Sequence, residues 1–302
     1  MSIKYLSYEQ IDKAKWDACI MQSPNGLIYS YSYYLDSMSK HWDALVLNDY
    51  EAVMPLTWNK KMGIRYLYQP PFTACLGITG MNIDNTIIEK FLDTIPSSFS
   101  YWDIYFNFGN RFEIKKYPLY ERMNYVLNLE KPYDILNAKF RDNIRRNVKK
   151  SKQLQCEIKK QIPIELVIQL SKDQTSQFSK LSEDDYFRIK NLSHQLAAKN
   201  SAITYGVYLQ DELLASAAFF FSHNRAYYVL VGNHPNGKTI GASHALINAF
   251  IEDHAGQKIL LDFEGSDISK LAFFYSSFGA QEEKYVGIKL NRLPGLLKWL
   301  KR

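Results

Sequence analysis

Apolar positions along this chain follow two spacings: short continuous or alternating runs, which predict strands, and repeats every three to four residues, which predict helices. Residues 8–21 place Ile11, Ala14, Ala18 and Met21 at helical spacing and stop at Ser23-Pro24-Asn25-Gly26. Residues 30–39 read as a second helix. Runs at 42–47 and 50–58 flank Asn48-Asp49 and predict a β-hairpin, followed by a strand at 64–68. Pro70-Pro71 removes two backbone donors, so residues 69–77 are expected to form a loop, walled by Tyr66, Tyr68 and Phe72. A helix at 85–95 and strands at 101–106 and 124–129 complete the first half.

The second half repeats the alternation. Leu136, Phe140, Ile144 and Val148 recur every four residues and predict one long helix over 133–152. A strand is expected at 156–160, with helices at 163–172 and 184–199. Strands at 202–209 and 213–221 flank Gln210-Asp211-Glu212 as a hairpin, and 226–231 adds a third. A turn at 236–242 opens a helix whose apolar face is Ala242, Ala245, Leu246, Ala249 and Phe250. A short buried strand at 259–261 meets the acidic turn Asp262-Phe263-Glu264-Gly265-Ser266. A helix at 268–277, a strand at 284–290 and a docked terminal helix at 293–302 follow. The element order before residue 131 roughly copies the order after it, without a visible sequence repeat. The expected architecture is therefore α/β of the α+β type: two similar lobes, 1–130 and 131–302, each a mixed sheet flanked by helices.

Composition narrows the function classes. The 302 residues, 46% hydrophobic and 23% charged, suit a soluble globular chain with room for two domains. No run approaches the roughly 20 apolar residues of a membrane span, and the N-terminus lacks the apolar core of a secretory leader, so a cytoplasmic protein is expected. Cys19, Cys75 and Cys156 lie far apart, and the six histidines show no ligand spacing; neither a disulfide framework nor a metal site is expected. Walker, Rossmann and Gly-x-Ser-x-Gly fingerprints are absent, which argues against nucleotide triphosphatase, dinucleotide and serine-hydrolase chemistry.

The net charge of +6 is concentrated in one place. Arg141, Arg145, Lys149 and Lys152 line one flank of the 133–152 stripe, and Lys139, Arg146 and Lys150 line the other, against Asp142 alone. Like charges four residues apart repel on a helix, so a compensating anionic ligand is expected at Arg141, Arg145 and Lys149. The start of the helix at Thr239-Ile240-Gly241-Ala242 offers backbone donors and a positive dipole end to a phosphate. Asp262 and Glu264 end an interior strand, where alternation places both on one face and where either is a candidate general base.

Two stretches carry a family resemblance. Leu271-Ala272-Phe273-Phe274-Tyr275-Ser276-Ser277-Phe278-Gly279-Ala280 resembles the helix of GNAT acyltransferases that ends in an aromatic-Tyr-x-x-apolar-Gly-aromatic pattern, with Tyr275 on the family's tyrosine and Ala280 in place of the last aromatic. Lys238-Thr239-Ile240-Gly241-Ala242-Ser243 resembles the family's pyrophosphate turn, with lysine in its first place and serine in its last. Residues 140–150 resemble the Arg-x-Asn-x-Arg-x-x-x-Lys helix of the two-lobed FemAB-like branch, several of whose members transfer amino acids from aminoacyl-tRNA to peptidoglycan precursors. The resemblance implies two GNAT-like lobes, the first on the acceptor side. It further implies acyl-CoA as co-substrate held at 238–243, Tyr275 as the acid that protonates the leaving group, and an amine acceptor on a small molecule or cell-envelope precursor. Aminoacyl-tRNA is the alternative donor, and a non-catalytic binding module that keeps the fold is the alternative outside enzymes. No role on DNA is expected.

Overall fold

The computed structural model describes residues 2–175, 181–265 and 267–294. In chain order its elements are β1 (Ile3–Leu6), α1 (Lys13–Gln22), α2 (Ser32–Met38), β2 (His41–Leu47), β3 (Ala52–Lys61), β4 (Ile64–Tyr68), β5 (Thr79–Gly80), α3 (Asn85–Thr94), β6 (Phe99–Tyr105) and β7 (Leu119–Asn128). Then follow α4 (Tyr133–Ala138), α5 (Asp142–Gln153), β8 (Glu157–Lys160), α6 (Ile164–Thr175), α7 (Glu183–Ala197), β9 (Ala202–Leu209), β10 (Glu212–Ser222), β11 (Arg225–Asn233), α8 (Pro235–Ile240), α9 (Ala242–His254), β12 (Leu260–Asp262), α10 (Ser269–Ser276) and β13 (Gln281–Asn291). The mixed α/β class expected from the sequence is the one observed. No described helix is long and apolar enough to cross a membrane. The expected terminal helix lies, from residue 295 on, outside the described residues.

Two compact units divide the chain: residues 1–122 with 284–302, and residues 123–283. The sequence reading put one boundary at 130 and ran the second lobe to the end of the chain; here the last strand returns to the first unit. In unit 1 the strand order is β1-β2-β3-β4-β6-β13, with β5 beside β3, and only β4 and β6 run parallel. Leu45, Met54, Leu67, Phe91, Phe99 and Trp102 are part of its core. In unit 2 the order is β7-β12-β11-β10-β9-β8, and among the described residues β11 and β12 are the parallel pair. Each unit is thus an antiparallel meander followed by a helical crossover to a parallel partner, which is why the two halves read alike.

Three local departures from the sequence pattern matter for the site. The predicted helix 133–152 is two helices, because Arg141 adopts extended backbone (ψ 155°) and its N–H donates to the Ser277 carbonyl at 2.9 Å instead of continuing the ladder. Asp142 then opens α5 from the first turn, where a carboxylate meets the positive end of the dipole. The stripe survives the break: Leu136, Phe140, Ile144 and Val148 are all buried in the unit 2 core. The stretch 236–242 is mostly helix, not turn, since Pro235 occupies the first position of α8 and His234 caps it. Gly241 then turns left-handed (φ 77°) and α9 starts anew. Glu264 is left-handed as well (φ 60°), so the alternation that placed it on the Asp262 face ends with β12.

His244, in the first turn of α9, sits edge-on to Phe274 at 5.0 Å and beside Phe278. Its Nδ1 is buried without a hydrogen-bond partner, and burial pulls its pKa from 6.5 down to about 4. The folded protein therefore holds this ring neutral over a range where the unfolded chain takes up a proton. Stability that is intact above pH 6.5 should be lost as pH falls through that window, by about 2 kcal/mol. Urea unfolding at pH 7 and pH 4.5 should show a loss that much smaller in His244→Leu than in the parent; equal losses would show that His244 does not titrate on unfolding.

Candidate functional site

The parallel ladder between β11 and β12 has three rungs, Arg225 to Leu260, Ala226 to Leu261 and Tyr227 to Asp262. β12 then ends, while β11 continues to Asn233 with β10 on its other edge. Beyond Tyr227 the two strands part. At the same point the β10–β11 register slips: Ala218 pairs with Leu230 and Phe219 with Tyr228, leaving Val229 as an extra residue. Such a bulge takes one peptide out of the ladder and re-aims it. Nothing in Tyr227-Tyr228-Val229-Leu230 signals the bulge at the level of sequence.

One face of this opening is a cluster of rings. Tyr275 of α10 stacks on Phe263 (4.5 Å between centroids, 18°) and meets Tyr228 edge-on at 6.5 Å and Tyr125 at 6.4 Å. It is 7% exposed. Its position follows from the α10 pattern: Tyr275 is the buried residue of the helix, with buried Phe278 just past its end, while Leu271 and Phe273 are exposed. Burial first, and the charge of Glu264 second, raise the Tyr275 pKa above 10, so the phenol keeps its proton. Among the described residues nothing hydrogen-bonds its hydroxyl. The charge of Glu264 thus bears on Tyr275.

Asp262 is placed differently. Alternation puts it with Arg225 and Tyr227 on the face opposite Tyr228 and Phe263. Its Oδ2 accepts from Arg225 Nη1 at 2.6 Å, and its Oδ1 accepts from Asn124 Nδ2 and from the backbone N–H of Glu264, both at 2.8 Å. Both oxygens are engaged, which suits an anchor better than a base. Arg225 also forks onto Glu283 at 3.0 Å through each Nη. The sequence pattern gives no sign of Arg225, Asn124 or Glu283: the apolar run starts only at Ala226, and Glu283 lies 58 residues from Arg225.

The predicted phosphate turn packs against α5. A side chain at Gly241 would meet Asn147 Cβ at 2.7 Å, so the close approach that this glycine permits is taken by α5. Lys150 Nζ donates to the Thr239 carbonyl at 2.7 Å, and the Ser243 hydroxyl donates to Asn233 Oδ1. Ala242 is buried, Ile240 partly so, and Lys238 and Thr239 are exposed. Of the anion-binding candidates, Arg141 lies over the ring of Phe273 at 4.7 Å, on the helix that carries Tyr275. Arg145 pairs with Asp142 at 2.7 Å and reaches the carbonyls of Asn137 and Ala138; Lys149 is exposed. The fold therefore gathers α5, the start of α9 and the end of α10. Among the described residues no group of three or more His, Cys, Asp and Glu is arranged to hold a metal ion.

Comparison with known proteins bears on the fold. Residues 138–267 match the acetyltransferase (GNAT) domain model. No curated protein matches the sequence. The crystal structure of FemX is similar over 100% of both chains, at 12% identity and a TM-score of 0.67. The C-terminal domain of a putative lysylphosphatidylglycerol synthetase from Agrobacterium fabrum is similar over 96% of this chain and 94% of its own, at 10% identity and a TM-score of 0.57. A tandem GNAT protein from the clavulanic acid biosynthesis pathway is similar over 97% of this chain and 100% of its own, at 9% identity and a TM-score of 0.55. Residues 138–267 thus resemble a GNAT acetyltransferase domain, and the chain as a whole has a fold similar to that of FemX.

Proposed function

We propose that the protein is an N-acyltransferase that moves an acyl group from acyl-CoA to an amine on a small molecule or cell-envelope precursor. The observation that carries this reading is the coincidence of three features in unit 2: the parting of β11 from β12, the Val229 bulge, and the Tyr275–Glu264 pair. Acyl transfer needs a donor for the carbonyl oxygen, a base for the amine and an acid for the leaving group. The bulged peptide at Val229 supplies the first, Glu264 the second and Tyr275 the third. The amine nitrogen attacks the thioester carbonyl and yields its proton to Glu264. As the carbon–sulfur bond breaks, the Tyr275 phenol protonates the departing thiolate. The Tyr275 phenol carries its proton at neutral pH and so is available for that last step, although burial makes it a weaker acid. Lys238 and the first turn of α9, at Ala242 and Ser243, hold the donor's phosphates in this scheme.

A second reading, with aminoacyl-tRNA as donor, is favoured by one observation. α5 closes over Gly241 and brings its basic flanks beside the start of α9, which suits a larger polyanion. The leaving group is then a ribose oxygen, with Tyr275 again as its acid.

Thermal shift separates the donors. Acyl-CoA at ~100 times its dissociation constant should stabilise the fold by about 2.7 kcal/mol, a shift of several degrees. Absence of a shift with any acyl-CoA would reject the first reading. A shift with aminoacyl-tRNA that disappears on moderate salt would support the second, because phosphate contacts weaken steeply as salt rises. Arg141→Glu combined with Lys149→Glu should weaken the donor that binds by about tenfold or more without lowering the melting temperature; unchanged affinity would make these residues solvated surface.

Tyr275→Phe tests the chemistry. The ring's packing is kept and no hydrogen bond is lost, so the melting temperature should move little. Turnover should fall ~100-fold with donor KM unchanged, as expected for an interaction made in the transition state. Turnover within twofold of the parent would remove Tyr275 from the reaction.

A further inference from the structure

Arg225 has no part in the scheme above, yet it is among the most buried charges in the chain, 6% exposed. Its guanidinium joins Asp262 at 2.6 Å and Glu283 at 3.0 Å, and Asn124 Nδ2 ties the same two carboxylates together at 2.8 and 3.3 Å. The Asn124 side chain is itself held, its Oδ1 accepting from the Tyr125 N–H at 2.7 Å. Asp262 therefore has little freedom. From that fixed carboxylate the next contact runs to the backbone N–H of Glu264, at 2.8 Å.

Glu264 (φ 60°) and Gly265 (φ 91°) are left-handed in succession. For a residue with a Cβ this region is uphill and persists where the surroundings impose it. The Asp262 carboxylate grips the first peptide of that turn. A planar, five-donor guanidinium can hold two carboxylates in one fixed geometry, as a lysine ammonium cannot.

We propose that Arg225 is a positioning residue: its fork fixes Asp262, and Asp262 fixes the left-handed turn that carries Glu264. This rests on Glu264 serving as the base. A purely structural role would instead make Arg225 a clamp for the sheet, with no particular effect on the turn.

Hydrogen exchange read by fragment mass spectrometry distinguishes the two. In Arg225→Lys, which keeps the charge but not the fork, the Glu264 amide should exchange at least tenfold faster while the amides of β9, β10 and β11 keep their rates. Asp262→Asn should do the same. With an acceptor in hand, both variants should lower kcat at constant donor KM and move the acidic limb of the kcat–pH profile, since the turn that carries Glu264 is loosened. Should Arg225→Lys fail to fold, Glu283→Gln carries the comparison, loosening one side of the fork while keeping Arg225 and Asp262. Unchanged exchange at Glu264, or equal acceleration throughout unit 2, would overturn the proposal. The exchange readout needs no turnover, so a parent protein without acyl transfer would reject the functional reading while the coupling of Arg225 to the turn is still decided.

Discussion

The three-rung parallel ladder between β11 and β12 is the constraint on which the candidate site depends. A longer ladder would pair the backbone of β11 through Tyr228 and Val229 and close the opening. A shorter one would leave β12 without register, and with it Phe263, the ring on which Tyr275 stacks. The ladder is short because the chain leaves the strand at Asp262 and enters a left-handed turn. That departure is stabilised at its base by a buried ion network.

The two faces of the sheet divide the work. On one, Tyr228, Phe263, Tyr275 and Phe278 form a packed aromatic wall continuous with Phe219 and Phe250. On the other, Arg225, Asp262 and Glu283 set charge and register. The turn at Glu264 connects them: its N–H answers to the charged face, and its carboxylate acts on the tyrosine of the aromatic face. The basic α5 meets the same region from the helix side, through Arg141 at the end of α10 and Lys150 at the end of α8.

Much of this was legible in the sequence where the signal is local. The hairpins β2–β3 and β9–β10 follow from apolar runs around polar turns, and the Leu136-Phe140-Ile144-Val148 stripe is buried as its spacing predicts. The signal failed where a distant partner decides. The break before α5 comes from the Ser277 carbonyl, which takes the Arg141 N–H. α8 was hidden because Pro235-Asn236-Gly237 carries turn residues that also open a helix. β1 is four residues long and gains its register only from β2. The Val229 bulge and the Arg225–Glu283 fork have no sequence signature, since each is set by the pairing of strands far apart in the chain.

The central claim is a location: the donor's reactive end lies where β11 leaves β12. Backbone amide NMR of the whole chain, titrated with a thioether analogue of acyl-CoA, measures it most directly. The account predicts shifts at Tyr228, Val229 and Leu230, at Gly241 to His244, and at Glu264 and Gly265. Shifts confined to unit 1, for instance around its ~600 Å³ cavity lined by His41, Trp58 and Arg65, would contradict it.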